Sequence, residues 1–463
     1  MKLNYFNFKH FGTDILITND FGKYMFVSDD ELKRIVSKNV DMKSDFAQRL
    51  IENKIIYDET DFEYSAENKY LLRNVKGYIN NATALHIFVV TTCCNMKCVY
   101  CQANNGVKDS HIIMNKVIAK HAVDIALQSP QYVLTFEFQG GEPLMNFDII
   151  SYIVEYAESR KGQHKIYYTI VTNLTLLTDE MVEFFLKYDI GISTSIDGNE
   201  LLNNTNRTLK DGKGTFNTVV KSLDKLRSAG VEVGAIQTTT KYSLKYAKDI
   251  IKTYVDLGFS NIFIRPLTLL GKAALYRDEI GYSAEEFIEF YKEALNILID
   301  INKNGYYIRE GHATIFLKKM KGKFVNYMEL RSPCGAAMGQ LAYYADGNIF
   351  TCDEGRMLYE MGNSTFCLGN VFENKYEDLI ENIICKTVCA SSILESIPSC
   401  CDCVYQPYCG VCPVANFAMN QDIIEKYPKN YKCKIYGGIL DLLFEKYYID
   451  DEETIEIFNS WSC

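Results

Sequence analysis

Residues 91–101 read Thr91-Thr92-Cys93-Cys94-Asn95-Met96-Lys97-Cys98-Val99-Tyr100-Cys101. Within them Cys94, Cys98 and Cys101 have the spacing Cys-x3-Cys-x2-Cys. A loop with this spacing can wrap three thiolates around one iron–sulfur cubane, which takes four ligands in all. Three protein ligands leave one iron open for a substrate or a cofactor. A structural zinc site is the alternative, although zinc needs a fourth protein ligand and usually uses Cys-x2-Cys pairs.

The cysteines are unevenly distributed along the chain. Four of the 16 lie at positions 93–101 with none before them, and the others begin at Cys334. Thiols in the cytosol stay reduced, so this number favours metal sites over disulfides. A packing role would spread cysteines through the core, whereas this segregation predicts two separate metal regions.

Length and charge narrow the class of protein. A chain of 463 residues predicts two or three domains. The formal net charge of −10 opposes a nucleic-acid partner, whose binding surface would be basic. No apolar run is long enough for a membrane span, and the start of the chain lacks a signal peptide. We therefore expect a cytoplasmic protein without a membrane partner.

Residues 81–310 alternate apolar runs with amphipathic stretches. The predicted strands are 85–90, 133–138, 166–171, 190–195, 231–238 and 262–267. The predicted helices are 116–127, 147–159, 179–187, 216–229, 244–257 and 284–302. Six strand–helix units indicate an α/β fold, a partial (β/α)6 barrel with its chemistry at the carboxyl ends of the strands. Near-continuous apolar strands suit a sheet that is covered on both faces.

Residues 1–80 predict a separate small unit. Ser28 and Glu31 have the spacing of a capping box, and apolar residues follow at helical intervals. A second helix at 45–52 leads to a strand at 54–57. A strand, two helices and a strand indicate a winged-helix-like module, either a structural extension or a docking site for a peptide.

The cysteine triad resembles the signature of the radical S-adenosylmethionine (radical SAM) superfamily. That family carries it on the loop after the first strand of a partial (β/α)6 barrel, with an aromatic residue, here Tyr100, near the SAM adenine. Gln139-Gly140-Gly141-Glu142-Pro143 ends the second strand and matches the family's Gly-Gly-Glu-Pro motif, which holds the SAM amino group. Glycines permit close approach of the backbone to a ligand. Taken alone, these residues could form a simple turn.

Two more strand ends resemble family motifs. Thr172-Asn173-Leu174-Thr175 stands where the family often has Thr-Asn-Gly-Thr, which gives Asn173 a cofactor-binding role. Ser195-Ile196-Asp197-Gly198 matches Ser-x-Asp-Gly, which adds Ser195 and Asp197 to the cofactor-binding residues. By the same resemblance Arg207 pairs with the SAM carboxylate, for which an arginine fork suits better than a lysine. An exposed Arg207 without this role is the alternative.

Residues 311–463 resemble the SPASM extension of peptide-modifying radical SAM enzymes, which holds two auxiliary iron–sulfur clusters. By that family's interleaving, the ligands of one cluster are Cys400, Cys403, Cys409 and Cys433, and those of the other are Cys334, Cys352 and Cys412. The second set has three thiolates, so either another residue such as Cys367 closes it or one iron is open. A zinc site from Cys400-x2-Cys403 and Cys409-x2-Cys412 is the alternative. Cys93, Cys385, Cys389, Cys401 and Cys463 are expected to be free thiols.

The resemblance covers nearly the whole chain. Residues 11–22, 86–91, 137–144 and 406–410 look like parts of the His-Xaa-Ser system radical SAM maturases. The resemblance implies a radical SAM/SPASM peptide maturase with one 4Fe–4S cluster that binds SAM and two auxiliary 4Fe–4S clusters. A 5′-deoxyadenosyl radical would abstract hydrogen from a precursor peptide, and a carbon–carbon or thioether crosslink would form. An electron donor such as flavodoxin or ferredoxin is the second expected partner.

Two other functions stay open. Anaerobic sulfatase maturation, the oxidation of Cys or Ser to formylglycine, uses the same cluster layout, although those enzymes generally begin near the cysteine triad. A zinc-stapled peptide-binding protein without catalysis is the alternative from another class. Asp197 or another carboxylate would take up a proton, and the sequence does not select one.

Overall fold

Strands and helices alternate through the computed structural model, which describes residues 2–57, 62–103, 111–425 and 430–463. The strands are β1 (Lys2–Leu3), β2 (Asn7–Phe11), β3 (Asp14–Thr18), β4 (Tyr24–Val27), β5 (Ile56–Tyr57), β6 (Leu85–Thr91), β7 (Val133–Gly140), β8 (Lys165–Val171), β9 (Gly191–Ser195), β10 (Val233–Thr238), β11 (Asn261–Arg265), β12 (Arg309–Glu310), β13 (Gln340–Tyr343), β14 (Asn348–Phe350) and β15 (Cys367–Asn370).

The helices are α1 (Asp29–Val36), α2 (Asp45–Glu52), α3 (Phe62–Val75), α4 (Lys116–Ala126), α5 (Phe147–Arg160), α6 (Asp179–Lys187), α7 (Glu200–Asn206), α8 (Phe216–Ser228), α9 (Ala247–Asp256), α10 (Lys272–Leu275), α11 (Arg277–Ile280), α12 (Ala284–Lys303), α13 (Gly311–Met320), α14 (Asp353–Glu360), α15 (Tyr376–Glu381), α16 (Ile383–Ala390), α17 (Pro413–Asn420), α18 (Tyr431–Ile449) and α19 (Glu452–Trp461). The six helices predicted for residues 81–310 are α4, α5, α6, α8, α9 and α12, each within three residues of its expected bounds.

One large sheet forms the centre of the molecule. Its strand order is β12-β11-β10-β9-β8-β7-β6-β13-β14-β15. Strands β6 to β11 follow one another in chain order and pair in parallel, and β13 also pairs in parallel with β6. The α/β class and the mostly parallel sheet are therefore confirmed. Because β12 pairs with β11 and not with β6, the sheet stays open like a partial barrel.

The two faces of the sheet differ in burial. On β7 the side chains of Phe136 and Phe138 are buried among helix residues, whereas the alternating residues Glu137 and Gln139 are half-buried. β8 and β9 continue this alternation. The expected cover on both faces therefore holds for β6 and β13 but not for β7, β8 and β9. The half-buried face, which we call the inner face, carries polar side chains up to the carboxyl ends of the strands.

The central sheet crosses the boundary expected at residue 310. β13 adds to the edge of β6, and the antiparallel strands β14 and β15 follow it. The helix α14 begins directly after Cys352. Residues 311–463 are therefore joined to the barrel by main-chain hydrogen bonds.

The N-terminal unit contains more than the predicted two strands and two helices. The capping box of Ser28 and Glu31 is confirmed at the start of α1, and α2 has its expected bounds. The sequence prediction missed α3 and the antiparallel sheet β2-β3-β4. β5 pairs with β1. The described unit thus contains a three-stranded sheet, the short pair β1–β5 and the helices α1, α2 and α3, and its winged-helix-like character stays a prediction.

The sheet β2-β3-β4 is docked on the C-terminal residues. Asn7 Nδ2 donates to the carbonyl oxygens of Cys401 and Cys403 at 3.1 and 3.0 Å, and Thr18 Oγ1 donates to Val404 O at 2.6 Å. Aromatic side chains of the sheet pack on Phe444 of α18. The N-terminal sheet is therefore hydrogen-bonded to loop 401–408 and holds it in place. Among the described helices, none combines the length and the apolar character that a membrane span requires.

Candidate active site and metal centres

The loop 91–101 is tied to the neighbouring strand ends by main-chain hydrogen bonds. Gly141 N donates to Thr91 O at 2.9 Å, and Glu142 N donates to Cys93 O at 2.8 Å. On the other side Val99 N donates to Asn206 O at 2.9 Å. A Cβ atom at Gly141 would lie 2.3 Å from Cys93 O, so this contact requires glycine.

The three thiols of this loop lie near one another. Burial raises the pKa of Cys94 to about 12, and the Cys98 and Cys101 thiols act in the same direction. Burial, followed by the Cys98 thiol, raises the pKa of Cys101 to about 11. Three convergent thiols fit the donor set of an iron–sulfur cluster.

Tyr100 connects two charged side chains beneath the thiols. Its hydroxyl donates to Asp197 Oδ2 at 2.7 Å and accepts from Arg207 Nη1 at 2.9 Å. All three residues are buried, so the exposed alternative for Arg207 is wrong. Burial raises the pKa of Asp197, and the Arg207 guanidinium opposes this. Arg207 also acts electrostatically on the thiol of Cys98.

Asp197 has a second partner, the backbone N–H of Thr238, which donates to Oδ1 at 3.1 Å. Both oxygens of this carboxylate are therefore hydrogen-bonded. The role of Asp197 as a proton acceptor, which the sequence offered as one option, stays a prediction. Ser195 ends β9, where it lies half-buried on the inner face opposite Ile236 of β10.

The carboxylate of Glu142 is hydrogen-bonded to residues that follow β8, the third strand of the barrel. Its Oε1 accepts from Thr172 Oγ1 at 2.6 Å and from Leu144 N at 3.0 Å. Its Oε2 accepts from Asn173 N at 2.7 Å. Burial raises the pKa of Glu142, and these hydrogen bonds oppose the rise. The carboxylate therefore fixes the turn after β7 against the turn after β8.

Asn173 points back to the cysteine loop. Its Nδ2 donates to Asn95 Oδ1 at 2.9 Å, and Asn95 Nδ2 donates to Thr175 Oγ1 at 2.7 Å. Leu174, between Asn173 and Thr175 in the sequence, has φ of +60°, in the left-handed region that favours glycine. The departure from Thr-Asn-Gly-Thr thus falls on the residue whose backbone explains the glycine of the family motif.

Five C-terminal cysteines line one cavity of about 620 Å³, and four of them form one group. The four are Cys400, Cys403, Cys409 and Cys433, and their thiols act electrostatically on one another. Burial, followed by the other thiols, raises the pKa of Cys400 and Cys433 to about 12. The cavity and its four thiols fit an auxiliary iron–sulfur cluster.

The remaining three predicted ligands form a second group. Cys334, Cys352 and Cys412 are buried in one apolar cluster together with side chains of α14, α16 and α17. Burial, followed by the Cys412 thiol, raises the pKa of Cys334 well above its ordinary value. Cys412 lies in the wall of the cavity but groups with these two cysteines. The structure thus divides the thiols as the interleaving expects.

The zinc alternative requires Cys412 to share one ion with Cys400, Cys403 and Cys409. Cys412 is instead buried in the apolar cluster of Cys334 and Cys352, and its thiol acts electrostatically on that of Cys352. The grouping of Cys412 with Cys334 and Cys352 therefore favours clusters over zinc.

The sequence analysis missed polar residues that lie close to both sites. Arg356 of α14 is 2% exposed; its Nη2 donates to Gln139 Oε1 at 3.2 Å and its Nε to Asp353 Oδ1 at 2.7 Å. Near Cys412, Lys432 Nζ lies 3.4 Å from Glu329 Oε2. The spacing after Cys352 was a possible signal for Arg356, but the local pattern does not reveal which helix face meets the barrel.

Comparison with known proteins gives a match in the barrel. Residues 88–242 match the family model of the Radical SAM superfamily. An uncharacterized protein of Methanocaldococcus jannaschii is 34% identical over 38% of this chain, and the match spans 60% of that protein's length. A cysteine-type anaerobic sulfatase-maturating enzyme of Clostridium novyi is 22% identical over 68% of this chain and 83% of its own.

Two solved structures share the fold. The structure of anSMEcpe with bound AdoMet has a TM-score of 0.68 at 20% identity, covering 82% of this chain and 99% of that chain. Streptococcus suis SuiB bound to precursor peptide SuiA has a TM-score of 0.56 at 15% identity, covering 91% and 98%. Residues 88–242 are therefore a radical SAM domain, in a chain that is homologous to anaerobic sulfatase-maturating enzymes.

Proposed function

We propose that this chain is a radical SAM enzyme that modifies a ribosomally made precursor peptide by hydrogen abstraction and formation of a carbon–carbon or thioether crosslink. When bound, SAM at a 4Fe–4S cluster supplies a 5′-deoxyadenosyl radical after one-electron reduction. The supporting observation is the convergence of three thiols with the ends of β7, β8 and β9, beside the inner face of the sheet. An electron donor such as flavodoxin or ferredoxin belongs to the same proposal.

In this proposal the chain's own residues hold the cofactors. Cys94, Cys98 and Cys101 bind the cluster. The backbone at Gly140–Gly141 and the carboxylate of Glu142 face the SAM amino group. The remaining cofactor-binding residues are Tyr100, Asn173, Ser195, Asp197 and Arg207. The buried Tyr100–Asp197–Arg207 chain keeps the site rigid and dry next to Cys98, and exclusion of water protects a reactive species.

The remaining units have proposed roles as well. Residues 1–80 hold the leader of the precursor by strand addition to an outer strand of β2-β3-β4. Residues 81–310 perform the radical step, and residues 311–463 would hold two auxiliary clusters, which would supply an electron acceptor for closure of the crosslink. SuiB, whose solved structure contains a precursor peptide, supports a peptide substrate. The His-Xaa-Ser maturases are the group that we propose within the family.

The first test uses the protein after anaerobic purification. Iron and sulfide analysis should find both elements, and dithionite with SAM should produce 5′-deoxyadenosine. A Cys94→Ala, Cys98→Ala, Cys101→Ala variant should produce none. Co-expression with short precursor reading frames, followed by mass spectrometry, should show a loss of two hydrogens per crosslink. Zinc without sulfide would contradict the enzyme proposal.

Sulfatase maturation is the second candidate function. It is favoured by the higher TM-score of anSMEcpe relative to SuiB, 0.68 against 0.56. Peptides that contain a sulfatase-type Cys or Ser target distinguish the two. Conversion of that residue to formylglycine would select maturation, whereas crosslink formation without this aldehyde would select the proposed function.

A further inference from the structure

A carboxylate lies beside the group of Cys334, Cys352 and Cys412. Glu354 belongs to the first turn of α14, which Cys352 caps by accepting from Gly355 N at 3.3 Å. The Glu354 carboxylate acts electrostatically on all three thiols. Met357 and Leu358, three and four positions later, pack in the same apolar cluster as the cysteines. Residues at these spacings share a helix face, so Glu354 lies on the face turned to the thiols.

We propose that Glu354 is the fourth protein ligand of the auxiliary iron–sulfur cluster that Cys334, Cys352 and Cys412 hold. The inference rests on the proposed function, because it assumes a cluster at this group. A cubane takes four ligands, and the thiols supply three. The carboxylate closes the set from the element that already carries Cys352.

Cys367, the other candidate for this position, lies elsewhere. It belongs to β15, and its Sγ donates to Gly369 O at 3.6 Å. It packs against a separate apolar cluster that includes Ile87, Val89 and Phe350 of the central sheet. The Cys367 side chain thus packs in a different apolar cluster from that of Cys334, Cys352 and Cys412.

The surroundings of Glu354 compensate its charge. A cubane with three thiolates and one carboxylate is negatively charged, and a buried charge is costly unless it is paired. Lys432 pairs with Glu329 and acts electrostatically on Cys412 and Glu354. Arg265 forms a salt bridge with Glu329 too. Since Arg265 neutralises Glu329, the Lys432 ammonium is left to balance the cluster and Glu354.

A carboxylate ligand would make one iron exchangeable. Carboxylate oxygen is a harder ligand than thiolate, and soft thiolates are the preferred ligands of iron–sulfur clusters. An incoming thiolate, such as a cysteine of a bound peptide, would therefore displace Glu354 more easily than it would displace Cys334 or Cys352. This identifies the chemical class of ligand that the site accepts: a peptide thiol.

The test removes the SAM-binding cluster first. In a Cys94→Ala, Cys98→Ala, Cys101→Ala background, Glu354→Ala, Glu354→Gln and Glu354→Cys are reconstituted anaerobically with iron and sulfide. Glu360→Gln is the control, because Glu360 lies on the same helix and accepts from the Tyr344 hydroxyl. Iron per chain and the EPR spectrum after mild oxidation are measured, since EPR separates three-iron from four-iron clusters.

We expect Glu354→Ala and Glu354→Gln to lose about one iron per chain and to gain a three-iron signal, because one cubane corner loses its ligand. Glu354→Cys should resist oxidative iron loss better than the parent, and Glu360→Gln should match the parent. An unchanged iron content and spectrum in Glu354→Ala would overturn the proposal, as would Glu354→Cys without added resistance. A parent that binds no iron at all would instead refute the proposed function.

Discussion

The guanidinium of Arg207 donates a hydrogen bond to the hydroxyl of Tyr100 at 2.9 Å, inside the protein and next to the thiol of Cys98. The same hydroxyl donates to Asp197. The cysteine loop, the turn after β9 and the residue that follows α7 thus share one buried polar network. This hydrogen-bond network links the position of the thiols to the positions of the Asp197 carboxylate and the Arg207 guanidinium.

Tyr100→Phe tests this network, because it keeps the ring and removes the hydroxyl that both charged groups use. Hydrogen bonds to charged groups contribute about 1.5–3 kcal/mol, and neutral ones about 0.5–1.5 kcal/mol. Tyr254→Phe is the control, since the buried Tyr254 hydroxyl donates to the neutral carbonyl of Ile196. Urea unfolding should show the larger loss for Tyr100→Phe. Equal losses in the two variants would show that the hydroxyl does not bridge the charges.

Gly141→Ala tests the contact between the turn after β7 and the cysteine loop. The added Cβ would lie 2.3 Å from Cys93 O, so the backbone of the loop must shift. Overpacking of this kind costs about 1–3 kcal/mol, and we expect iron incorporation to fall with it. Gly234→Ala is the control, since its Cβ would meet nothing closer than 3.8 Å. Thermal unfolding and iron analysis decide; equal behaviour of both variants would argue against the contact.

Leu174 predicts an unusual order of variant stabilities. Leu174→Ala loses buried packing but keeps a left-handed backbone, whereas Leu174→Gly loses the same packing and relieves a strain of about 1–2 kcal/mol. Glycine should therefore be more stable here than alanine, and both should be less stable than the natural chain. Urea unfolding of the three chains measures this order, and a more stable alanine variant would mean that position 174 is not left-handed.

Glu310 predicts a pH dependence of stability. Its carboxylate accepts from Ile264 N, Ala313 N and the Tyr291 hydroxyl, and burial raises its pKa to about 7. An unfolded chain releases this proton near pH 4.5, while the folded chain retains it up to about pH 7. Protonated Glu310 therefore stabilises the folded chain fully below pH 4.5. This stabilisation, about 3 kcal/mol of unfolding free energy, is lost as the pH rises to 7.

Glu310→Gln removes this titration. The difference in unfolding free energy between the variant and the natural chain, measured by urea at several pH values, should shift in favour of the variant from pH 4.5 to 7. A difference that stays constant over this range would contradict the raised pKa.

Most strands and helices of the barrel could be predicted from the local periodicity of apolar residues. Strands β6 to β11 have apolar patterns within single short segments, so their bounds were close to those observed. The pairing of β13 with β6 could not be predicted, because residues near 340 and 85 share no local signal. The sheet β2-β3-β4 could not be predicted either, because a single strand is predicted before α1 and the pairing of three strands is not visible in any one segment.

The site was predictable where function depends on spacing. The cysteine spacings and the strand-end motifs gave groups of residues that the fold brings together, while their roles as ligands stay predictions. Glu354 and Arg356 were not predictable, because both follow Cys352 on one helix but meet different parts of the molecule. Glu354 lies on the side of the C-terminal cysteines, and Arg356 donates to Gln139 of the barrel. Only the packing of α14 between the barrel and the C-terminal cysteines assigns each side chain to its surroundings.

The docking of β2-β3-β4 on loop 401–408 affects any attempt to engineer substrate choice by exchanging N-terminal segments between relatives. Lys9 of β2 lines the cavity of the four thiols and forms a salt bridge with Asp441 of α18. A transplanted segment would therefore change the side chains that line that cavity. Chimaeras should move the first 57 residues and loop 401–408 as one cassette, since neither half has its native partner without the other.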